Sequence, residues 1–136
     1  MNILRKSIFN FDKRKIKTTL LYAKKNNDVI DTAAVITVDG YLIESTDLML
    51  QTAKKIASMG CSMVSLANTM TQELAMGNCR NLILENEQGI VVMIQINEQL
   101  ILTTMTRDTY ALGLIVGTSR LCADTIRAIL NNTIRS

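Results

Sequence analysis

The stretch that most constrains how this chain can fold is residues 46–76, which contain no proline and a single glycine, Gly60. Ser45 or Thr46 is suited to cap a helix there, Asp47 sits well near the positive end of its dipole, and Gly77 is suited to stop it after Met76. Placed at about 100° per residue, its apolar side chains cover an arc of roughly 200°. The arc runs from Leu48 and Leu66 through Met59, Met70, Met63, Ile56, Leu74 and Ala67 to Ala53, Val64, Ala57 and Leu50. A helix lying on one sheet needs an apolar stripe of only about 100°, so half of the arc requires a second partner. Methionine supplies adaptable surface, and small residues let helix backbones approach closely. A two-fold contact through Ala53, Ala57, Gly60, Val64 and Ala67 is therefore expected. Cover by loops or by a terminal helix is the other way to bury that flank.

The rest of the chain divides into short elements. Asp39-Gly40, set between AAVITV and YLIES, is a strong signal for a tight hairpin joining strands at 33–38 and 41–45. Residues 80–85, 90–96 and 99–106 read as three further strands separated by Asn86-Glu87-Gln88-Gly89 and Asn97-Glu98. In 90–96 both alternating faces are apolar, which places that strand inside the sheet and covered on both sides. Residues 12–26 form an amphipathic pattern through Ile16, Leu20 and Ala23 with Asp12 as a suitable N-cap, and residues 109–134 repeat the pattern through Ile115, Thr118, Cys122, Ile126 and Ile129. The predicted order is α-β-β-α-β-β-β-α, one α+β domain over residues 12–136 preceded by a flexible basic extension at 1–11.

Chemistry is limited by what is missing. With no histidine, every histidine-based triad is excluded and the commonest neutral metal ligand is lost. Cys61, Cys79 and Cys122 form no short-spaced ligand pair and read as small buried thiols. There is no glycine-rich phosphate loop or dinucleotide-binding turn, so the chain is not expected to bind a nucleotide itself, and no cofactor or metal site is expected. No run of roughly 18 apolar residues occurs, and the protein reads as cytoplasmic. Charge is uneven: residues 1–27 carry eight cations against Asp12 alone, while the remainder carries seven basic and eleven acidic residues.

The run AAVITVDGYLIESTD, the long small-residue helix ending in QELAMGN, and the meander CRNLILENEQGIVVMIQINEQLILTTMTRDTYALGLI together resemble the Roadblock (dynein light chain) family, of bacterial or archaeal type. The resemblance spans about residues 13–130. It implies a five-stranded antiparallel sheet with the long helix on one face and the two terminal helices on the other. It further implies pairing through that helix and the following strand, bringing Leu82, Ile83 and Leu84 into a homodimer contact. Members of the family are non-catalytic platforms for Ras-like small GTPases, or adaptors. For this chain the resemblance implies a homodimeric regulator or scaffold of such a GTPase.

If the helices pair, the outward stripe Lys54, Lys55, Ser58, Ser62, Ser65, Thr69, Gln72 and Glu73 is the expected partner-binding surface. It is too poor in cations for a phosphate backbone, and no nucleic-acid partner is expected. Arg80, Arg107 and Arg120 are the arginines that could be lent to a GTPase, although ordinary surface roles account for each. The alternative reading is a structural adaptor held at a membrane or filament by its basic N-terminus. If Ile16 and Leu20 pack on the sheet, only residues 1–11 are left for such a membrane contact.

Overall fold

The computed structural model describes the backbone of residues 2–46 and 49–135, and the side chains of 13–26, 28–46 and 49–131. The elements follow the order α1 (Asn2–Asn27), β1 (Thr32–Thr37), β2 (Leu42–Ser45), α2 (Leu50–Glu73), β3 (Asn81–Asn86), β4 (Gly89–Gln95), β5 (Leu100–Thr106) and α3 (Leu112–Arg135). The five strands form one sheet in the order β2-β1-β5-β4-β3, with every neighbouring pair antiparallel. This is the α+β architecture expected from the sequence.

Two cores flank the sheet. On one face α1 and α3 bury Ile16, Leu20, Ile115, Cys122 and Ile126 against Val35, Val92, Ile94 and Leu102. On the other, Ala57 and Val64 of α2 meet Ile36, Met93 and Ile101. Successive residues of a strand point to opposite faces, so β4 contributes Ile90, Val92 and Ile94 to the first core and Met93 to the second. It is inside the sheet, as its doubly apolar pattern requires.

The start of α1 and both ends of α2 differ from the sequence expectation. Helix α1 begins at Asn2, so Asp12 lies within the helix instead of capping it, and the backbone of residues 2–11 is helical. Helix α2 begins at Leu50 behind Met49, which makes no side-chain cap bond. Ser45 ends β2, and Thr46 extends the ladder: its N–H donates to the Ala33 carbonyl at 2.9 Å and its hydroxyl accepts from the Ala33 N–H at 3.1 Å. A residue engaged in a sheet cannot also cap a helix. Asp47 lies outside the described residues.

The third boundary is the end of α2. The Met76 N–H donates to the Thr71 carbonyl at 2.8 Å and the Ala75 N–H to the Gln72 carbonyl at 3.0 Å, the paired bonds of a Schellman ending. Its left-handed residue is Ala75, at φ 56°, and Gly77 follows two residues later at φ 79°. A Cβ in that conformation costs roughly 1 kcal/mol or more. Ala75→Gly is accordingly expected to stabilise the fold by about 0.5–1 kcal/mol, read as a raised midpoint in urea with an unchanged slope.

The cysteines are not equivalent. Cys122 is buried in the α1–α3 core, and desolvation of the thiolate pushes its pKa from 9.0 up to about 11, whereas Cys61 and Cys79 are partly exposed. Alkylation needs the thiolate and access. Iodoacetamide at pH 8 should therefore label Cys61 and Cys79 in the native protein and spare Cys122 until the chain is unfolded. Mass spectrometry of the labelled peptides checks this.

Candidate functional site: the outer face of the long helix

Helix α2 presents three sectors. The first faces the chain's own sheet. Ala53, Ala57, Gly60 and Val64 are its buried residues, and a Cβ on Gly60 would stand 3.0 Å from Ile36 Cδ1 and 3.6 Å from Met93 Cε. Small side chains are needed here because they set how closely α2 can lie over β1 and β4. This corrects the sequence expectation: Ala53, Ala57, Gly60 and Val64 do not line the exposed flank, because their close-approach role is spent on the sheet. Ala67 is half-buried at the boundary of this sector.

The second sector is the exposed apolar one. Met49, Met59, Leu66 and Met70 are exposed, with Leu66 at 70% and Met70 at 65%, while Ile56 and Met63 are half-buried. From Ile56 onward the spacing is three, four, three, four (Ile56, Met59, Met63, Leu66, Met70), the a/d spacing of a two-helix seam. Beside it an apolar groove of about 190 Å³ opens between α2 and the sheet, lined by Ile56, Met59, Met63, Leu84, Val91 and Met105 among others. Thr103 borders the groove with its hydroxyl buried and without a hydrogen-bond partner among the described residues. Composition and spacing held the signal for this seam, but a continuous 200° arc does not itself say which half meets the sheet.

The third sector is polar. Lys54, Lys55, Ser58, Ser62, Ser65, Thr69, Gln72 and Glu73 are all exposed on one outward stripe. The hydroxyls of Ser62 and Thr69 donate to the carbonyls of Ser58 and Ser65, so part of the stripe is already satisfied within the helix.

Strand β3 borders the same region. It is an outer strand of the sheet, paired among the described residues with β4 alone. Leu82 and Leu84 point to the α2 side, Leu82 against that core and Leu84 into the groove, while Ile83 points to the opposite face and is 38% exposed. An outer strand offers unpaired backbone donors and acceptors to another chain.

The arginines lie elsewhere. Arg80 and Arg120 flank a cleft between β3 and α3; with its amide turned to suit both neighbours, Asn81 accepts from Arg120 Nη2 at 2.7 Å and donates to the Arg80 carbonyl at 3.1 Å. Arg107 follows the far end of β5, where its N–H donates to Asp31 at 2.6 Å. None of the three belongs to the α2 stripe. Among the described residues no cluster of three His, Cys, Asp or Glu side chains comes together, and no helix is long and apolar enough to cross a membrane.

A five-stranded antiparallel sheet clad by one helix on one face and two on the other, with an exposed apolar helix seam beside an open outer strand, defines a small protein-interaction domain. The chain belongs to the Roadblock/LC7 domain family, whose pattern matches residues 11–106. Its fold is similar to that of Myxococcus xanthus MglB, with a TM-score of 0.79 at 16% identity over 87% of this chain and 96% of that one. It is likewise similar to an MglB described as having a tetrameric arrangement (TM-score 0.78, 12% identity, 90% and 93% covered). A Roadblock/LC7 domain from Streptomyces avermitilis gives a TM-score of 0.73 at 14% identity, covering 84% and 96% of the two chains. No curated protein sequence matches the chain.

Proposed function

We propose that the protein is a non-catalytic, cytoplasmic homodimer that serves as a regulator or scaffold of a Ras-like small GTPase. The observation that carries the pairing is the seam Ile56, Met59, Met63, Leu66 and Met70, whose side chains stand exposed or half-exposed along one flank of α2. Burying such a row against its two-fold copy removes apolar area from water at roughly 25 cal/mol per Å². Joining the two outer strands β3 would at the same time satisfy backbone groups that the single chain leaves open. Leu82 and Leu84 then continue the seam across the sheet, and Ala67 sits beside it.

With one flank of α2 on the sheet and the seam against its twin, the polar stripe from Lys54 to Glu73 faces outward on both helices. Its mixed charge and small hydroxyls suit the rim of a protein interface. The GTPase brings the nucleotide, and this chain supplies a surface; no cofactor is required of it. Light scattering at micromolar concentration tests the platform. The expected mass is twice the 15.1 kDa of one chain, and a well-folded monomer would remove the paired-helix surface.

A further inference from the structure

The charge asymmetry of the chain has a definite place in the fold. Helix α1 buries Ile16, Leu20 and Ala23 against the sheet, so the opposite side of the helix looks away from the molecule. At 100° per residue Arg14, Lys15, Thr18, Leu21, Tyr22 and Lys25 fall on that opposite side. Arg14, Lys15 and Lys25 are exposed, Leu21 is 46% exposed and Tyr22 67%. No acidic residue occurs between Lys13 and Asn27. The Thr18 hydroxyl already donates to the Arg14 carbonyl at 2.9 Å, which lowers the cost of drying this face.

We infer that the outward face of α1 docks on an anionic lipid surface. Cations interleaved with an exposed leucine and tyrosine fit the headgroup boundary, where lysine and arginine meet lipid phosphates while Leu21 and the Tyr22 ring sit at the edge of the acyl region. A nucleic acid would reward the cations but gain nothing from Leu21. The residues that engage are not the apolar ones that look amphipathic in sequence, since Ile16 and Leu20 are fully buried. The face lies across the sheet from α2, so lipid and a partner on the α2 stripe could be held at once.

Co-sedimentation of the full chain with vesicles tests this, comparing pure phosphatidylcholine with two parts phosphatidylcholine to one part phosphatidylserine. The protein should pellet with the anionic vesicles, lose that binding in high salt, and stay in solution with the neutral ones. Each cation near the surface is worth about a fivefold change in partitioning, so the triple variant Arg14→Glu, Lys15→Glu, Lys25→Glu should weaken it more than about a hundredfold. Leu21→Ser with Tyr22→Ser should weaken vesicle binding several-fold while leaving retention on heparin unchanged. All five positions are exposed, and thermal melts confirm the fold of each variant; the salt dependence of the unaltered chain needs no variant. Absence of pelleting, equal pelleting with neutral vesicles, or a charge-reversed chain that binds as before would overturn the inference. So would an unaltered affinity in the Leu21/Tyr22 variant, which would mark a general polyanion surface.

Discussion

Leu66→Asp is expected to turn the proposed dimer into a folded monomer. Leu66 is 70% exposed in the single chain, so a carboxylate there meets water and leaves the fold undisturbed. In the paired helices the same side chain would lie in the seam, where an unpaired charge is costly and loss of a central apolar anchor weakens binding strongly. The dimer should be weakened by about 3 kcal/mol or more, over a hundredfold in dissociation constant. Light scattering across a dilution series reads the dissociation, and an unchanged circular dichroism spectrum and melting temperature show that the fold survives.

Gly60→Arg is expected to fail in the opposite way. A Cβ alone would have to displace Ile36 Cδ1, at 3.0 Å, and the rest of the side chain would then enter the packing between α2 and Met93. Overpacking and a buried cation together should cost about 3–5 kcal/mol, enough to unfold much of a marginally stable domain. The sequence alone places Gly60 in the expected helix–helix contact, where an arginine would weaken pairing. The structure predicts loss of the cooperative thermal transition itself. A folded monomeric Gly60→Arg protein would show that α2 does not press on the sheet as described.

The two variants mark the line between what the residues alone specify and what they do not. Element order, the hairpin at Asp39-Gly40, the interior position of β4 and the buried stripe of α3 as far as Ile126 rest on local periodicity and turn chemistry and are legible without coordinates, although Leu130, not the expected Ile129, is buried at its end. The orientation of α2 is not local. Its apolar arc is continuous, and which half meets the sheet depends on clearance over Ile36 and Met93, a distance no helical projection contains. Small residues can serve helix–helix contact or helix–sheet contact, and here Ala53, Ala57 and Gly60 serve the latter. The helix ends were missed for a related reason. Thr46 has the chemistry of a cap, but its ladder bonds to Ala33 take precedence, and the stop at Ala75 uses a left-handed alanine where the pattern pointed to Gly77. The polar stripe was legible because exposure follows from having nothing apolar to bury.

On the proposed reading, paired α2 helices form a surface that distinguishes the states of a Ras-like GTPase, since only differential affinity can regulate. The most direct measurement is retention of GTPases on the immobilised dimer from native lysate loaded with a GTP analogue or with GDP, the bound proteins being identified by mass spectrometry. A Ras-like GTPase retained at least about tenfold better in one state, a difference of about 1.4 kcal/mol, and lost from the Leu66→Asp monomer is the predicted result. Recovery of no GTPase in either state, or equal recovery in both, would contradict it.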